Sequence, residues 1–158
     1  MAEKITVKDF IENMNGDVDT LEVREYIPIT EKRLIIEKLI SEIITEDGLL
    51  VTYDSIVKDM VFSLASICVY TNLEATTDED YDKLCETGLL DEIFKKIGTR
   101  DFRNFHTMFE IRFKDYMRDA NTLMGTVNNL FKEFKEVFEK LDPEQLKSLL
   151  KLLDTAMA

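Results

Sequence analysis

Asp78, Asp80 and Asp82 have the one-three-five spacing of a calcium loop, in which alternate side chains of a tight turn aim their oxygens at one cation. The sixth position of that frame is Lys83, where the turn needs glycine, and the twelfth is Leu89, where a bidentate glutamate would complete the shell. An EF-hand is therefore excluded. What remains is an acidic patch of Glu74, Asp78, Glu79, Asp80 and Asp82, read as the solvated start of a helix whose carboxylates favour its dipole. His106 is the only imidazole, and no serine or cysteine lies within a turn of it, so a triad with Cys85 would depend wholly on tertiary contact. Cys68 and Cys85, neither in a CxxC pair, read as reduced thiols with Cys68 in the core. Two thiols and one imidazole, far apart in sequence, do not make a zinc set. No GxxxxGK[ST], GxGxxG, HExxH or GxSxG occurs, and five scattered glycines leave no loop to wrap a phosphate. The expectation is a protein that is not an enzyme and holds no cofactor and no metal.

With chemistry set aside, one feature dominates. From Arg100 to Leu141 the residues Phe102, Phe105, Phe109, Phe113, Met117, Ala120, Met124, Val127, Phe131, Phe134, Phe138 and Leu141 recur every three or four positions with no proline between them. That interval lays an apolar stripe on one side of a helix, and a continuous rod of this length would run roughly 60 Å. A chain of 158 residues has an expected radius of gyration of about 15 Å. The rod must therefore bend back, pack on the chain's other helices or meet another subunit. Gly125 is its weak point, so both a straight rod and a hairpin broken at Gly125 remain open. The downstream residues Val127, Phe131, Phe134, Phe138 and Leu141 have the four-three-four-three spacing of a short coiled-coil seam, with Lys132, Glu133, Lys135, Glu136, Glu139 and Lys140 around it. Together with Leu149, Leu150 and Leu153 of a final leucine-rich helix, they form the expected partner-binding surface. The seam can close on that final helix, but the favoured expectation is that it meets a second copy, making a homo-oligomer, or another protein.

Charge is distributed unevenly. The formal net charge is −12, yet residues 1 to 94 hold 8 basic and 22 acidic side chains while residues 95 to 118 hold 7 and 3. An acidic body thus leads into a basic collar of Lys95, Lys96, Arg100, Arg103, Arg112, Lys114 and Arg118, expected chiefly to neutralise that body. The acidic balance argues against direct binding of nucleic acid. No apolar run approaches the roughly 20 residues a bilayer demands, and Met1-Ala2-Glu3-Lys4 lacks a signal-peptide core, so neither a membrane partner nor secretion by a signal peptide is expected.

The remaining pattern reads as a mainly α fold: a helical bundle with a long C-terminal helix or helical hairpin. Thr6 caps a short helix through Met14 that ends near Asn15-Gly16. Leu21, Val23 and Ile27 alternate up to Pro28, and with residues 49–53 they could form one short β-ribbon (21–27 with 49–53). Thr30 opens a helix through about Thr45, and Asp54 or Ser55 opens an apolar one ending near Asn72. Asp78 to Glu86 is a short acidic helix broken by Gly88, residues 89 to 97 another ending at Gly98, and Asp142-Pro143 separates the long helix from the last. By domain, residues 1–98 are an acidic helical body, and residues 99–158 are the long amphipathic helix plus the C-terminal helix, either in the same domain or as a projecting arm.

Val23-Arg24-Glu25-Tyr26-Ile27-Pro28, Tyr70-Thr71-Asn72-Leu73 and Gly88-Leu89-Leu90-Asp91 carry an E-Y-[IV]-P segment before a helix, a Y-T-[ND]-L helix end and a G-L-[LI]-D start. In these the chain resembles small uncharacterised proteins encoded among tailed-phage morphogenesis genes of Gram-positive hosts, over less than half its length. The resemblance implies a non-enzymatic virion-assembly or accessory protein, such as a tail-assembly chaperone or head-tail accessory protein, located in the host cytoplasm or the virion. Its partner would be a phage structural protein or itself. The alternative is an acidic phage-encoded inhibitor whose carboxylates imitate nucleic acid and occupy the basic groove of a host defence or nucleic-acid enzyme.

Overall fold

The computed structural model describes residues 3–47, 50–145, 147, 148 and 151, and the fold is mainly helical. In chain order it comprises β1 (Ile5–Thr6), α1 (Val7–Asn13), a 3-10 turn (Val18–Thr20), α2 (Ile29–Ile43), β2 (Ile44–Asp47), β3 (Leu50–Tyr53), α3 (Ser55–Tyr70), β4 (Leu73–Glu74), α4 (Asp78–Glu86), α5 (Leu89–Ile97), α6 (Arg100–Ala120) and α7 (Leu123–Lys140). Two compact units divide these elements: residues 1–45 with 52–116, and residues 46–51 with 117–158. The first seventeen residues of α6 therefore belong with the body.

Local chemistry explains most helix ends. The Thr6 hydroxyl accepts from the Asp9 amide, Asp54 accepts from the Ile56 and Val57 amides, and Thr77 and Asp80 cap α4 reciprocally. After α1 the chain reverses through Asn15 and Gly16, both with positive φ. At Gly16 a side chain would also strike Leu89, whose Cδ1 lies 2.9 Å from the position of a Cβ. The cap of α2 is Pro28, two residues before the expected Thr30, and it makes no side-chain capping bond.

The β-ribbon pairs differently from the expectation. Strand β3 falls within 49–53, but its antiparallel partner is β2, at the end of α2, and not segment 21–27. That segment runs extended against the end of α3. Val23 bridges Thr71, the Arg24 amide donates to the Tyr70 carbonyl (2.7 Å), and the buried Asn72 side chain accepts from the Glu22 amide (3.0 Å). Its backbone groups are thus already bonded, and β3 pairs instead with β2, its neighbour in sequence. Beside it, β1 and β4 form a parallel pair, with Ile5 opposite Leu73.

The core of the first unit is aromatic. Phe105, Phe109 and Phe113 of α6 are buried, and Phe62 of α3 stacks on Phe105 (5.7 Å between ring centroids) and on Phe109 (4.6 Å). Tyr70 meets Phe102 edge-on, and Tyr53 does the same to Phe113. The upstream half of the phenylalanine stripe is therefore enclosed by the chain's own helices, one of the three ways of covering it that the sequence left open.

Under this cluster sits a buried ion pair. Lys32 Nζ lies 2.5 Å from Asp101 Oδ1, with side chains only 4% and 11% exposed. The other carboxylate oxygen accepts from the Tyr70 hydroxyl (2.9 Å) and the Ile27 amide (3.1 Å). Burial alone would push the Asp101 carboxyl up, but the bonds from Lys32, Tyr70 and Ile27 outweigh it and hold the group below its ordinary value. Burial, reinforced by its bond to Asp101, raises the Tyr70 phenol far above its usual range. Nearby, Arg24 grips Glu31 through two 2.7 Å bonds.

The long helix is interrupted at Asn121-Thr122, four residues before the expected weak point. Asn121 gives its side chain to β3, accepting from the Val51 amide (3.1 Å) and donating to the Val51 carbonyl (2.9 Å), while Thr122 caps α7 by accepting from the Gly125 amide. Gly125 is needed for a different reason. A Cβ there would fall on the Ala120 carbonyl oxygen and within 2.5 Å of the Asp119 one, both of them backbone atoms that cannot swing away. Gly125→Ala is expected to destabilise this turn by about 1–3 kcal/mol. The loss would be read as faster hydrogen exchange at the Thr126 amide, which bonds the Thr122 carbonyl at 2.9 Å.

Candidate docking surface

Helix α7 and its C-cap residue Leu141 carry the five described members of the expected partner-binding set. Viewed down the axis at about 100° per residue, Val127, Phe131, Phe134, Phe138 and Leu141 fall in one arc about 80° wide. Phe131 is 68% and Phe134 50% exposed, while Val127, Phe138 and Leu141 are half-buried. The Phe134 and Phe138 rings lie 6.4 Å apart along the face. Leu149, Leu150 and Leu153 lie outside the described residues.

Two members were missed from the sequence. Leu130 (40% exposed) and Val137 (53%) extend the arc to about 120° on the Leu130 side. Each sits just before a phenylalanine of the seam, the position beside a coiled-coil core, and widening the arc to the width of an ordinary apolar helix face would have included them. Lys135 borders one edge of the face and Glu133 the other, and Lys135 approaches Glu139 at 3.9 Å along the helix. The face is thus apolar at its centre and mixed in charge at its margins.

Two members of the basic collar are engaged inside the first unit. Arg112 bonds Glu37 through Nε (2.8 Å) and Nη2 (3.4 Å), and Lys96 donates to the Val18 carbonyl (2.6 Å) and lies 3.3 Å from Asp19. These contacts agree with its expected neutralising role. On the acidic side, Asp80 turns its carboxylate back onto the Thr76 and Thr77 amides (both 3.1 Å), whereas Asp78, Glu79 and Asp82 face solvent. The three aspartates of the calcium-like spacing therefore have different tasks, and among the described residues no three His, Cys, Asp or Glu side chains converge as a metal site.

Cys68 accepts from the Ala75 amide (3.3 Å) and donates to the Ala75 carbonyl (3.2 Å), and burial pushes its thiol up, the setting of a structural cysteine. Cys85 is exposed on α4. His106 is exposed on α6, 4.0 Å from Glu110 and edge-on to Phe62. Among the described residues no helix is long and apolar enough to cross a membrane. Compared with protein-family models, curated proteins and solved structures, the chain matches none of them.

Proposed function

We propose that this chain is a non-enzymatic phage virion-assembly or accessory structural protein that works through protein–protein contacts along the apolar face of α7, with a second copy of the chain as the first partner. The observation that carries the reading is the pair of open phenylalanines, Phe131 and Phe134, at the centre of that face. Seating them against a partner recovers roughly 1–2 kcal/mol each, and their seam spacing matches the way one helix packs on another. The resemblance of residues 23–28, 70–73 and 88–91 to phage morphogenesis proteins supports placing that association in virion assembly.

Sedimentation equilibrium tests the reading. The wild-type chain is expected to associate at tens of micromolar, and Phe134→Glu, which sets a charge in the middle of the seam, is expected to leave it monomeric at the same concentration. Raising salt should matter much less, because the contact is apolar. A wild-type monomer, or a Phe134→Glu protein that still associates, would overturn it.

One observation favours the second reading. The carboxylates of Asp78, Glu79, Asp82 and Glu86 are all exposed along α4, the kind of surface that could occupy the basic groove of a host nucleic-acid enzyme. Binding of that kind would collapse as salt rises, and a pull-down from infected cells would recover a host nuclease instead of virion proteins.

A further inference from the structure

In the first unit a groove of about 650 Å3 opens between α3, α4, α5 and α6. We propose that it is a binding site for a small molecule with a flat apolar body and one anionic group, the body lying on a floor of phenylalanines and the anion beside Arg103 and His106. The volume falls within the range of ligand sites, and the groove combines an apolar floor with a few convergent polar groups, which is how such sites are built.

The floor is made by Phe62, Phe94, Phe102 and Phe109. Phe94 and Phe102 are half-buried and stack on each other at 5.6 Å, so they present ring surface to the groove, while Phe62 and Phe109 close it from below. A flat ligand gains dispersion and area burial on such rings with little ordering of the protein.

Charge decides the second half of the proposal. Lys58 donates to Glu110 and Tyr70 to Asp101, so α3 runs antiparallel to α6 and places Asp59 at the Glu110 end of the groove. Arg103 lies seven residues before Glu110 on α6, about 10 Å along the axis. The groove therefore has an acidic end, where Glu110 is held by Lys58 at 2.8 Å, and a basic end at Arg103, with His106 between. Lys58, Lys96 and Arg112 are engaged with carboxylates, yet the Arg103 guanidinium has no partner among the described residues. A planar guanidinium beside an aromatic floor is suited to hold a carboxylate, sulfonate or phosphate. The groove between α2 and α3, about 480 Å3, lacks this feature because Lys38 on its wall already approaches Glu42 at 3.8 Å.

The test uses the full chain and two fluorescent probes that differ in charge: 1-anilinonaphthalene-8-sulfonate and its uncharged parent, N-phenyl-1-naphthylamine. The sulfonate should saturate one site per chain. Arg103→Gln should weaken it about tenfold while changing the neutral probe little, since only the charged hydrogen bonds are removed. Thr107→Trp, at an exposed position on the groove wall, should displace both probes. Because the α7 face is also apolar, Phe134→Glu serves as the control and should leave both affinities unchanged, which separates this site from the docking reading. The proposal is overturned if no saturable binding occurs, if Arg103→Gln affects both probes equally or neither, or if Phe134→Glu and not Thr107→Trp removes the signal.

Discussion

Phe109→Ala is expected to lower the stability of the chain by about 3–5 kcal/mol, the cost of emptying a buried aromatic site whose walls cannot fully collapse. Phe109 is wholly buried, lies 4.6 Å from the Phe62 ring and 5.8 Å from Phe113, and receives the Lys58 ammonium over its face at 5.6 Å. Its removal frees one side of Phe62, which also contacts Phe102, Phe105 and His106, so the damage spreads through the cluster. Domains of this size are typically stable by only about 5–15 kcal/mol, and the variant should therefore sit near its unfolding threshold. Urea denaturation followed by far-ultraviolet circular dichroism gives the measurement. A fall in midpoint with unchanged slope is expected, and a loss below about 1 kcal/mol would mean that the aromatic cluster repacks freely.

Asp101→Ala should cost a comparable amount, about 3–5 kcal/mol, for an electrostatic reason. Lys32 is buried, and without Asp101 its ammonium keeps no counter-ion, only the long 3.4 Å contact to Asn104 Oδ1 and the Tyr26 ring 5.5 Å away. The Tyr70 hydroxyl and the Ile27 amide lose their acceptor in the same step. A double variant with Lys32→Met should recover part of the loss, because a buried apolar side chain no longer needs a counter-ion. The pair also has a pH signature. Asp101 has a folded-state pKa below its unfolded value of about 3.9, so it contributes its full stabilisation above that value and loses it as pH falls through the lower folded value. Wild-type stability should drop in that acid window, and Asp101→Asn should flatten that part of the drop.

Much of the helical layout was legible because each boundary rests on neighbouring residues. Thr6 and Asp54 cap α1 and α3 with their own side chains, and Asp78 to Glu86 forms α4 at the expected limits. Residues 89–97 likewise form a helix that stops at Gly98. These are contacts across three or four positions, which a linear pattern carries in full. Where the deciding contact spans a long stretch of chain, the pattern misled. Gly125 looked like the place for the long helix to give way, but the break belongs to Asn121, whose amide is committed to Val51, seventy positions earlier. Segment 21–27 alternates like a strand, yet Tyr70, Thr71 and Asn72 take up its backbone groups before any ribbon can form.

The same division runs through the candidate sites. Three-to-four periodicity alone put an apolar face on α7, since helix geometry fixes which side chains share a side. Periodicity could not tell that face from the one carrying Phe105, Phe109 and Phe113: the spacing is alike, and only the packing of Phe62 against the upstream rings makes one half core and leaves Phe131 and Phe134 open. Nor could it join Lys58 to Glu110, or Lys32 to Asp101, because charges far apart in sequence meet only when the fold lays their helices side by side. Amphipathic order is a property of the chain; enclosure and charge pairing depend on which surfaces the fold brings together, and that is settled by three-dimensional packing.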